Sequence, residues 1–380
     1  MDEKEYRRKE RIREQRKQER IRQGRRQRII WGVNLGLLLV LCLVFTVRGV
    51  QSKAAQKKEK QAKKKQEQEK AKEPEIISFT ISAAGDCTLG IDENFYYPTG
   101  LPAKYEQEGA AFFFEKVKTI FEEDDLTIVN MEGTLTDETA RRTDRKFCFK
   151  GDKELVNILT EGSVEAANLA NNHTEDYGKK SYTDTIEVLE EKGISVFGNE
   201  KTSIVDVKGI KVGLLGTYEL AKNIECEDEM IENIEKLKKE GAQLIIASFH
   251  WGIERENIPN ETQIALAHSA IDHGADLVLG HHPHVLQGIE EYNGKNIVYS
   301  LANFCFGGNS GPKDMDTMIF QQTFTFKDGK LQEDNVKNII PCKISSVYAT
   351  GVNNYQPMPA EGDVGDAILA RIRQYSDALE

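Results

Sequence analysis

Residues 280–284 read GHHPH, three of the chain's seven histidines in five positions with a proline before the last. Four other polar clusters stand where apolar runs end. They are AAGD, closing on Asp86; NMEG, with Asn130 and Glu132; NNH, with Asn171, Asn172 and His173; and HWG, with His250. Each alone reads equally as a turn, a loop or a satisfied core histidine. Together they supply carboxylate, amide oxygen and imidazole, the donor set of a divalent ion such as Mn²⁺, Fe²⁺ or Zn²⁺. No thiolate cluster suggests a structural zinc site. His282 and His284 flank Pro283, and in an extended loop both would face one side and share an ion. His281 is then the dispensable member. An ion held there would polarise a phosphoryl or carbonyl oxygen and bring a bound water's pKa toward about 7. That is the chemistry of hydrolysis or group transfer.

The elements that must position these residues are short apolar runs separated by amphipathic stretches. IISFTISAA, LTIVNM, VEAANLA, ISVFG, IKVGLLG, LIIASF and DLVLG read as strands. GAAFFFEKVKTIFEED, KKSYTDTIEVLEEKG, MIENIEKLKKEG and TQIALAHSAIDHG carry apolar residues at helical spacing. Alternation of this kind predicts an α/β fold with buried sheets and functional loops at the strands' carboxyl ends. His268 and His273 fall on a helical segment and read as structural or solvated. After residue 285 the pattern predicts hairpins, at Asn293-Gly294 and Asp328-Gly329, ending in antiparallel sheet. A last helix is expected in GDVGDAILARIRQYSDALE.

Charge separates the chain into unlike parts. Of 51 Lys+Arg and 62 Asp+Glu residues, 23 and 10 lie in residues 1–73, which leaves 28 and 52 for residues 74–380. So acidic a domain repels nucleic-acid phosphates, and a DNA or RNA reader is excluded as the expected class. Residues 29–47 run 19 positions without a charge. As a helix they cover about 28 Å, the thickness of a bilayer's hydrocarbon. The stretch is too long for a cleaved signal and lacks a small-residue cleavage site, so it reads as an anchor. The expected organisation is a basic cytoplasmic tail (1–28), a transmembrane helix (29–47), a charged linker (48–73) and an extracytoplasmic domain (74–380). The linker reads as a solvated tether or a lone polar helix. Cys87, Cys148, Cys226, Cys305 and Cys342 are odd in number and widely spaced, which favours buried free thiols.

The motifs AAGDCTLG, NMEGTLT, ANLANNHTEDYG, SFHWGIE, GHHPHVLQG and YSLANF, in this order, resemble the CapA family of poly-γ-glutamate capsule proteins over roughly residues 76–360. That family is similar to the calcineurin-like metallophosphoesterases. The resemblance implies a four-layer sandwich of two mixed sheets flanked by helices, with a metal centre at the strand ends. It assigns Asp86, Glu132, Asn172, His250, His282 and His284 as metal ligands and His173 and His250 as catalytic. Asp176, Glu254 and Asn303 are candidates for holding substrate. The first motif departs from the phosphoesterase pattern: Thr88 stands where a histidine is expected, and one metal subsite loses a ligand. The resemblance implies a membrane-anchored protein of capsule polymer synthesis or export, with membrane-bound synthase or export subunits and an anionic polymer as partners. A free-standing metallohydrolase and a non-catalytic polymer-binding scaffold are the alternatives. Arg141, Arg142, Arg145 and Lys146, directly after the Glu132 motif, form a basic loop that either grips the polymer or is simply solvated.

Overall fold

The computed structural model describes residues 3–70, 74–347 and 351–379. The chain divides into two units, Met1–Pro74 and Glu75–Glu380. In the first, the basic tail, the apolar stretch and the lysine-rich segment form one continuous helix, α1 (Glu3–Lys70). Its apolar part is long and apolar enough to cross a membrane, by length and composition. Trp31, Leu38, Leu39 and Phe45 all lie exposed along it.

The second unit holds two sheets. The strands of the first are β1 (Ile76–Thr88), β2 (Leu126–Met131), β5 (Ala166–Asn168), β6 (Ser195–Phe197), β13 (Asn303–Phe306), β14 (Asp316–Lys327), β15 (Lys330–Leu331), β16 (Val336–Lys343) and β17 (Met358–Pro359). Their order is β17-β16-β14-β1-β2-β5-β6, with β13 beside the end of β1 and β15 beside β14. β3 (Thr134–Leu135) and β4 (Lys150–Gly151) make a separate small pair. The second large sheet takes β7 (Ser203–Val207), β8 (Ile210–Tyr218), β9 (Leu244–His250), β10 (Leu277–His281), β11 (Ile289–Tyr292) and β12 (Lys295–Val298), in the order β11-β12-β10-β9-β8-β7. Both sheets are mixed. β1, β2, β5 and β6 run parallel, as do β8, β9, β10 and β12, with antiparallel partners at β14, β7 and β11.

Helices α2 (Leu101–Glu108), α3 (Ala111–Phe114), α4 (Lys118–Glu122), α5 (Asn157–Glu161) and α6 (Gly178–Glu191) belong with the first sheet. α7 (Glu227–Lys239) and α8 (Glu261–Asp272) belong with the second, and α9 (Gly362–Asp377) closes the unit. Three apolar cores lie between the layers. Phe114, Phe121, Leu159 and Leu189 pack on Val129 and Met131 of the first sheet. Ile81, Ile128 and Phe320 meet Leu214, Ile246 and Leu279 between the sheets. Met230, Ile234, Leu237 and Leu266 cover Ile245, Ala247 and Phe249. Helix, sheet, sheet, helix is the layer order, because every central strand is apolar on both faces and each face needs a cover.

Two expectations change. Beyond residue 285 the sheet is not purely antiparallel: the Asn293-Gly294 hairpin forms, yet β12 pairs with β10 in parallel and β13 with β1 in parallel. The long stretch at 109–124 is broken into α3 and α4 rather than one helix, with all three phenylalanines in α3 and the break at 115–117. Cys87, Cys148, Cys226, Cys305 and Cys342 are free and buried, and burial pushes the Cys87 thiol up to about 12, so it is unreactive.

At the opposite end of β2 from the histidine clusters, Asp124 and Glu165 are half-buried beside Thr127, whose hydroxyl donates to Asp124 (2.7 Å) and whose amide donates to Glu165 (2.8 Å). Burial raises Asp124 to about 6 and Glu165 to about 7. A carboxyl with a raised folded pKa holds its proton more tightly folded than unfolded. Its penalty is absent below about pH 4.5 and grows as pH rises toward 7. Glu165→Gln keeps the acceptor for Thr127 and removes the ionisation. We expect its Tm to exceed the parent's by about 1–3 °C at pH 8 and to equal it at pH 4. Scanning calorimetry at the two pH values checks this.

Candidate metal centre

The side-chain alternation of the strands builds the site. On β2, Leu126 and Ile128 point between the sheets while Val129 and Met131 point to the helices. Asn130 therefore ends the inter-sheet row, and Glu132 follows it one step beyond the strand. On β9 the same row runs Leu244, Ile246, Ser248, His250. On β10 it runs Leu277, Leu279, His281, and on β5 Ala166, Asn168. Each row is apolar through the core and turns polar at the carboxyl end, so the polar ends meet at one edge of the inter-sheet layer.

β1 reaches this edge by a different route. Phe79, Ile81 and Ala83 face the other sheet, but Cys87 and Leu89 face the helices, although all five numbers are odd. A register shift between Ala83 and Asp86 reverses the alternation, as a β-bulge does. The bulge turns Asp86 into the site. Gly85 makes it possible: Asp86 N donates to Ala302 O at 2.9 Å, and a Cβ on Gly85 would land inside the contact distance of that same carbonyl.

Asp86 is fully buried. Oδ1 accepts Asn130 Nδ2 at 2.8 Å and lies 3.4 Å from His281 Nδ1, and Oδ2 lies 3.2 Å from His284 Nδ1 and accepts His282 N at 3.4 Å. The His281 approach is electrostatic rather than an aligned bond, since both of its ring nitrogens lack a hydrogen-bond partner. Asn130 Oδ1 accepts from Asn168 (3.1 Å) and Asn171 (3.3 Å), which holds its amide toward Asp86. Glu132 sits among three imidazoles: His250 Nε2 at 3.7 Å, His284 Nε2 at 3.8 Å and His173 Nε2 at 3.9 Å. None is a hydrogen bond, and both Glu132 oxygens, although buried, have no partner. His282 Nδ1 is likewise buried and unpartnered.

Charge follows from these contacts. Burial raises Glu132 to about 7, with Asp86 adding to the rise against the pull of His284 and His173. Burial would also raise Asp86, but contacts with His281 and His284 hold it well below the usual carboxylate range. Burial lowers His250 well below the imidazole value and His282 to about 3, so both rings are neutral and keep a lone pair for ligation. His284 is the exception: Glu132 and Asp86 overcome its burial and lift it to about 10. A protonated His284 thus bridges the two carboxylates.

Glu132, His282 and His284 bring donor atoms within 4.8 Å of one another, and the unpartnered Glu132 oxygens and His282 nitrogen fit a divalent ion on chemical grounds. The other expected ligands are adjacent with their atoms engaged. His250 Nε2 contacts Asn172 Oδ1 at 2.8 Å, and its Nδ1 lies 3.3 Å from Asn130 Nδ2. The GHHPH loop is not extended: His282 and His284 have φ of 95° and 56°, the left-handed region that non-glycine residues enter at functional turns. Their rings still converge, with centroids 5.7 Å apart. His281 lies inside the cluster rather than outside it.

His173 Nδ1 lies 2.6 Å from Asp176 Oδ2, which also accepts Phe149 N at 2.6 Å. An oxygen already accepting an amide proton takes another from the ring, so Nε2 faces Glu132 as the basic nitrogen. Phe149 packs on the His173 ring at 4.4 Å. Asn303 Oδ1 contacts His284 Nδ1 at 2.9 Å and so sits in the cluster. Glu254 does not: it is exposed, on the wall of a cavity of about 480 Å³ that His173, His284 and Phe306 also line. A second cavity, about 760 Å³, reaches Asn171 and Asn172 from another side. Sequence reasoning passed over Asn168 and Phe149, and named Asn171 in its cluster without giving it a role. Asn168 was findable, as the first polar residue at the end of an apolar run.

Two mixed sheets between helical layers, with carboxylate, amide and histidine side chains gathered at the strand ends, define a four-layer α/β sandwich. A family model described as "Bacterial capsule synthesis protein PGA_cap" matches residues 80–308, more than half of the chain. This chain belongs to that family. It is 33% identical over 221 residues to the "PGA biosynthesis protein CapA" of Bacillus subtilis (strain 168), covering 53% of this chain and 58% of that protein. Against the "Capsule biosynthesis protein CapA" of Bacillus anthracis it is 32% identical over 223 residues, covering 52% and 54%. The chain thus spans about half the length of the curated relatives it matches. Among solved structures, a hypothetical protein from Thermus thermophilus aligns with a TM-score of 0.42 at 14% identity, over 69% of this chain and 98% of that one. The sulfate thiohydrolase SoxB of the same organism aligns with 0.40 at 14%, over 78% and 61%.

Proposed function

We propose that this chain is a membrane-anchored component of poly-γ-glutamate capsule synthesis or export whose outer domain acts on the polymer through a divalent-metal site. Family membership supports the pathway, and the names of the relatives supply the polymer. The observation that carries the site is Glu132, a buried carboxylate with two unpartnered oxygens facing His282 and His284. These three would hold the ion, with His250, Asn172 and Asp86 beside them. Mn²⁺, Fe²⁺ and Zn²⁺ all suit the donors. When bound, the ion supplies Lewis-acid polarisation of an acyl or phosphoryl oxygen. The chain's own part is a proton relay: Asp176 fixes the His173 ring and leaves Nε2 to take or give a proton at the reacting atom. The helix α1 anchors the domain, with residues 1–28 cytoplasmic and residues 74–380 outside, beside membrane-bound synthase or export subunits.

The same dyad supports a second reading, an extracytoplasmic metal-dependent phosphoesterase. A bacterium that depends on this chain separates them. Deletion is expected to abolish surface γ-glutamate polymer, the parent gene to restore it, and His284→Ala to restore less than a tenth. Unchanged polymer on deletion, together with Mn²⁺-dependent hydrolysis of an aryl phosphate ester by the full chain, would establish the second reading instead.

A further inference from the structure

The larger cavity is lined by more cations than carboxylates, the reverse of the balance in the domain that contains it. Arg142, Arg145, Lys179, Lys201 and Lys222 line it, against Glu175, Glu200 and Glu229. The surrounding domain, by contrast, has 52 acidic and 28 basic residues. Some of these cations are committed: Lys222 pairs with Glu229 at 2.5 Å, Lys201 with Glu190 at 2.9 Å and Arg142 with Asp144 at 2.6 Å. Arg145 and Lys179 make no ion pair among the described residues. The basic loop read from the sequence therefore divides. Arg141 is held by Asp92 and Glu93 (3.1 and 3.0 Å), and Lys146 lies over Phe147, while Arg142 and Arg145 turn to the cavity.

The cavity connects to the centre through Asn172, which lines it and contacts His250, and through Tyr218, whose ring is 6.2 Å from that of His250. The next residue, His173, lines the smaller cavity. That cavity is balanced, with Arg255 and Lys313 against Glu254 and Asp314, and is walled by Phe147, Phe149 and Phe306. The centre thus has, on one side, an approach lined by more cations than carboxylates, with Arg145 and Lys179 unpaired among the described residues, and on the other a balanced aromatic one.

Resting on the proposed function, we propose that the cationic cavity is a subsite for the carboxylates of a polyanion, holding several residues of the polymer while the reacting bond lies at the Glu132 centre. A polyanion repelled by an acidic domain needs a local field of opposite sign to dock. An open cavity of about 760 Å³ lined by several lysines and arginines suits repeated carboxylates better than one fixed anion.

The test is binding of a defined γ-linked glutamate oligomer to the full-length chain in detergent, with a neutral glutamine oligomer as control. Arg145→Gln/Lys179→Gln removes two unpaired cations without breaking an ion pair. We expect it to bind the glutamate oligomer about tenfold more weakly at low salt, with the difference vanishing as salt rises, and to leave metal affinity unchanged. Arg145→Glu/Lys179→Glu is expected to bind still more weakly. Parent-like binding by both variants would overturn the subsite while leaving the polymer reading intact. If the parent itself does not discriminate between the two oligomers, the proposed function and the subsite fail together.

Discussion

Glu132→Gln is expected to lower divalent-metal affinity by about 100-fold or more while leaving the metal-free protein as stable as the parent, or more so, at pH 8. The two effects have one cause. Glu132 is buried, its oxygens have no partner and its pKa is about 7. At pH 8 the metal-free protein must ionise it against burial and the neighbouring Asp86, and an amide removes that demand. With an ion present the same carboxylate is the negative charge that the site supplies, and an amide oxygen is a poor substitute. The parent should also show a pH dependence of known sign. Ligation needs Glu132 and His284 deprotonated, and His284 holds its proton up to about 10. Affinity should therefore rise with pH above 7, by up to about tenfold per unit where one proton is released. In Glu132→Gln the partner that most raises His284 is gone, so the dependence should flatten. Calorimetric titration with Mn²⁺ and Zn²⁺ at pH 6, 7 and 8 measures both; equal affinity of the two proteins would remove Glu132 from the ligand set.

The strand and helix order was legible because each central strand is a short apolar run, bounded by glycine or charge, whose period differs from that of the helices. β2 and its LTIVNM run coincide. The candidate residues were legible for the same reason: polar types at the end of an apolar row stand out. Three things were not. β7 carries an aspartate and is half exposed on its face, so its pattern is too weak against the surrounding loops. The left-handed turns at His282 and His284 depend on where β10 ends relative to β1 and β13, a tertiary fact that no local propensity carries. The placement of Asp86 depends on the bulge, since strict alternation from Ile81 and Ala83 would aim it at the helices. The sequence marks that bulge only by Gly85, one glycine among thirty.

That glycine carries the second large effect. Gly85→Ala is expected to destabilise the domain by about 3 kcal/mol, a Tm loss of about 6 °C or more, and to abolish metal binding. The new Cβ would collide with the Ala302 carbonyl, which accepts Asp86 N and belongs to backbone packed between β12 and β13. Neither side can yield by rotating a side chain. Relief requires β1 to move away from β13, which breaks the Asp86 to Ala302 bond and the Asp86 to Asn303 register. Asp86 would then lose its contacts with His281 and His284, and His284, deprived of one of its two carboxylate partners, would no longer be held against Glu132. Asp86→Asn is the comparison that isolates the geometry. It removes the charge but leaves the bulge, so it should weaken metal binding with a much smaller Tm loss. If Gly85→Ala melts within 1 °C of the parent and still binds metal, the bulge does not position Asp86. If it loses metal with no Tm loss, the bulge positions Asp86 but its packing against Ala302 is slack.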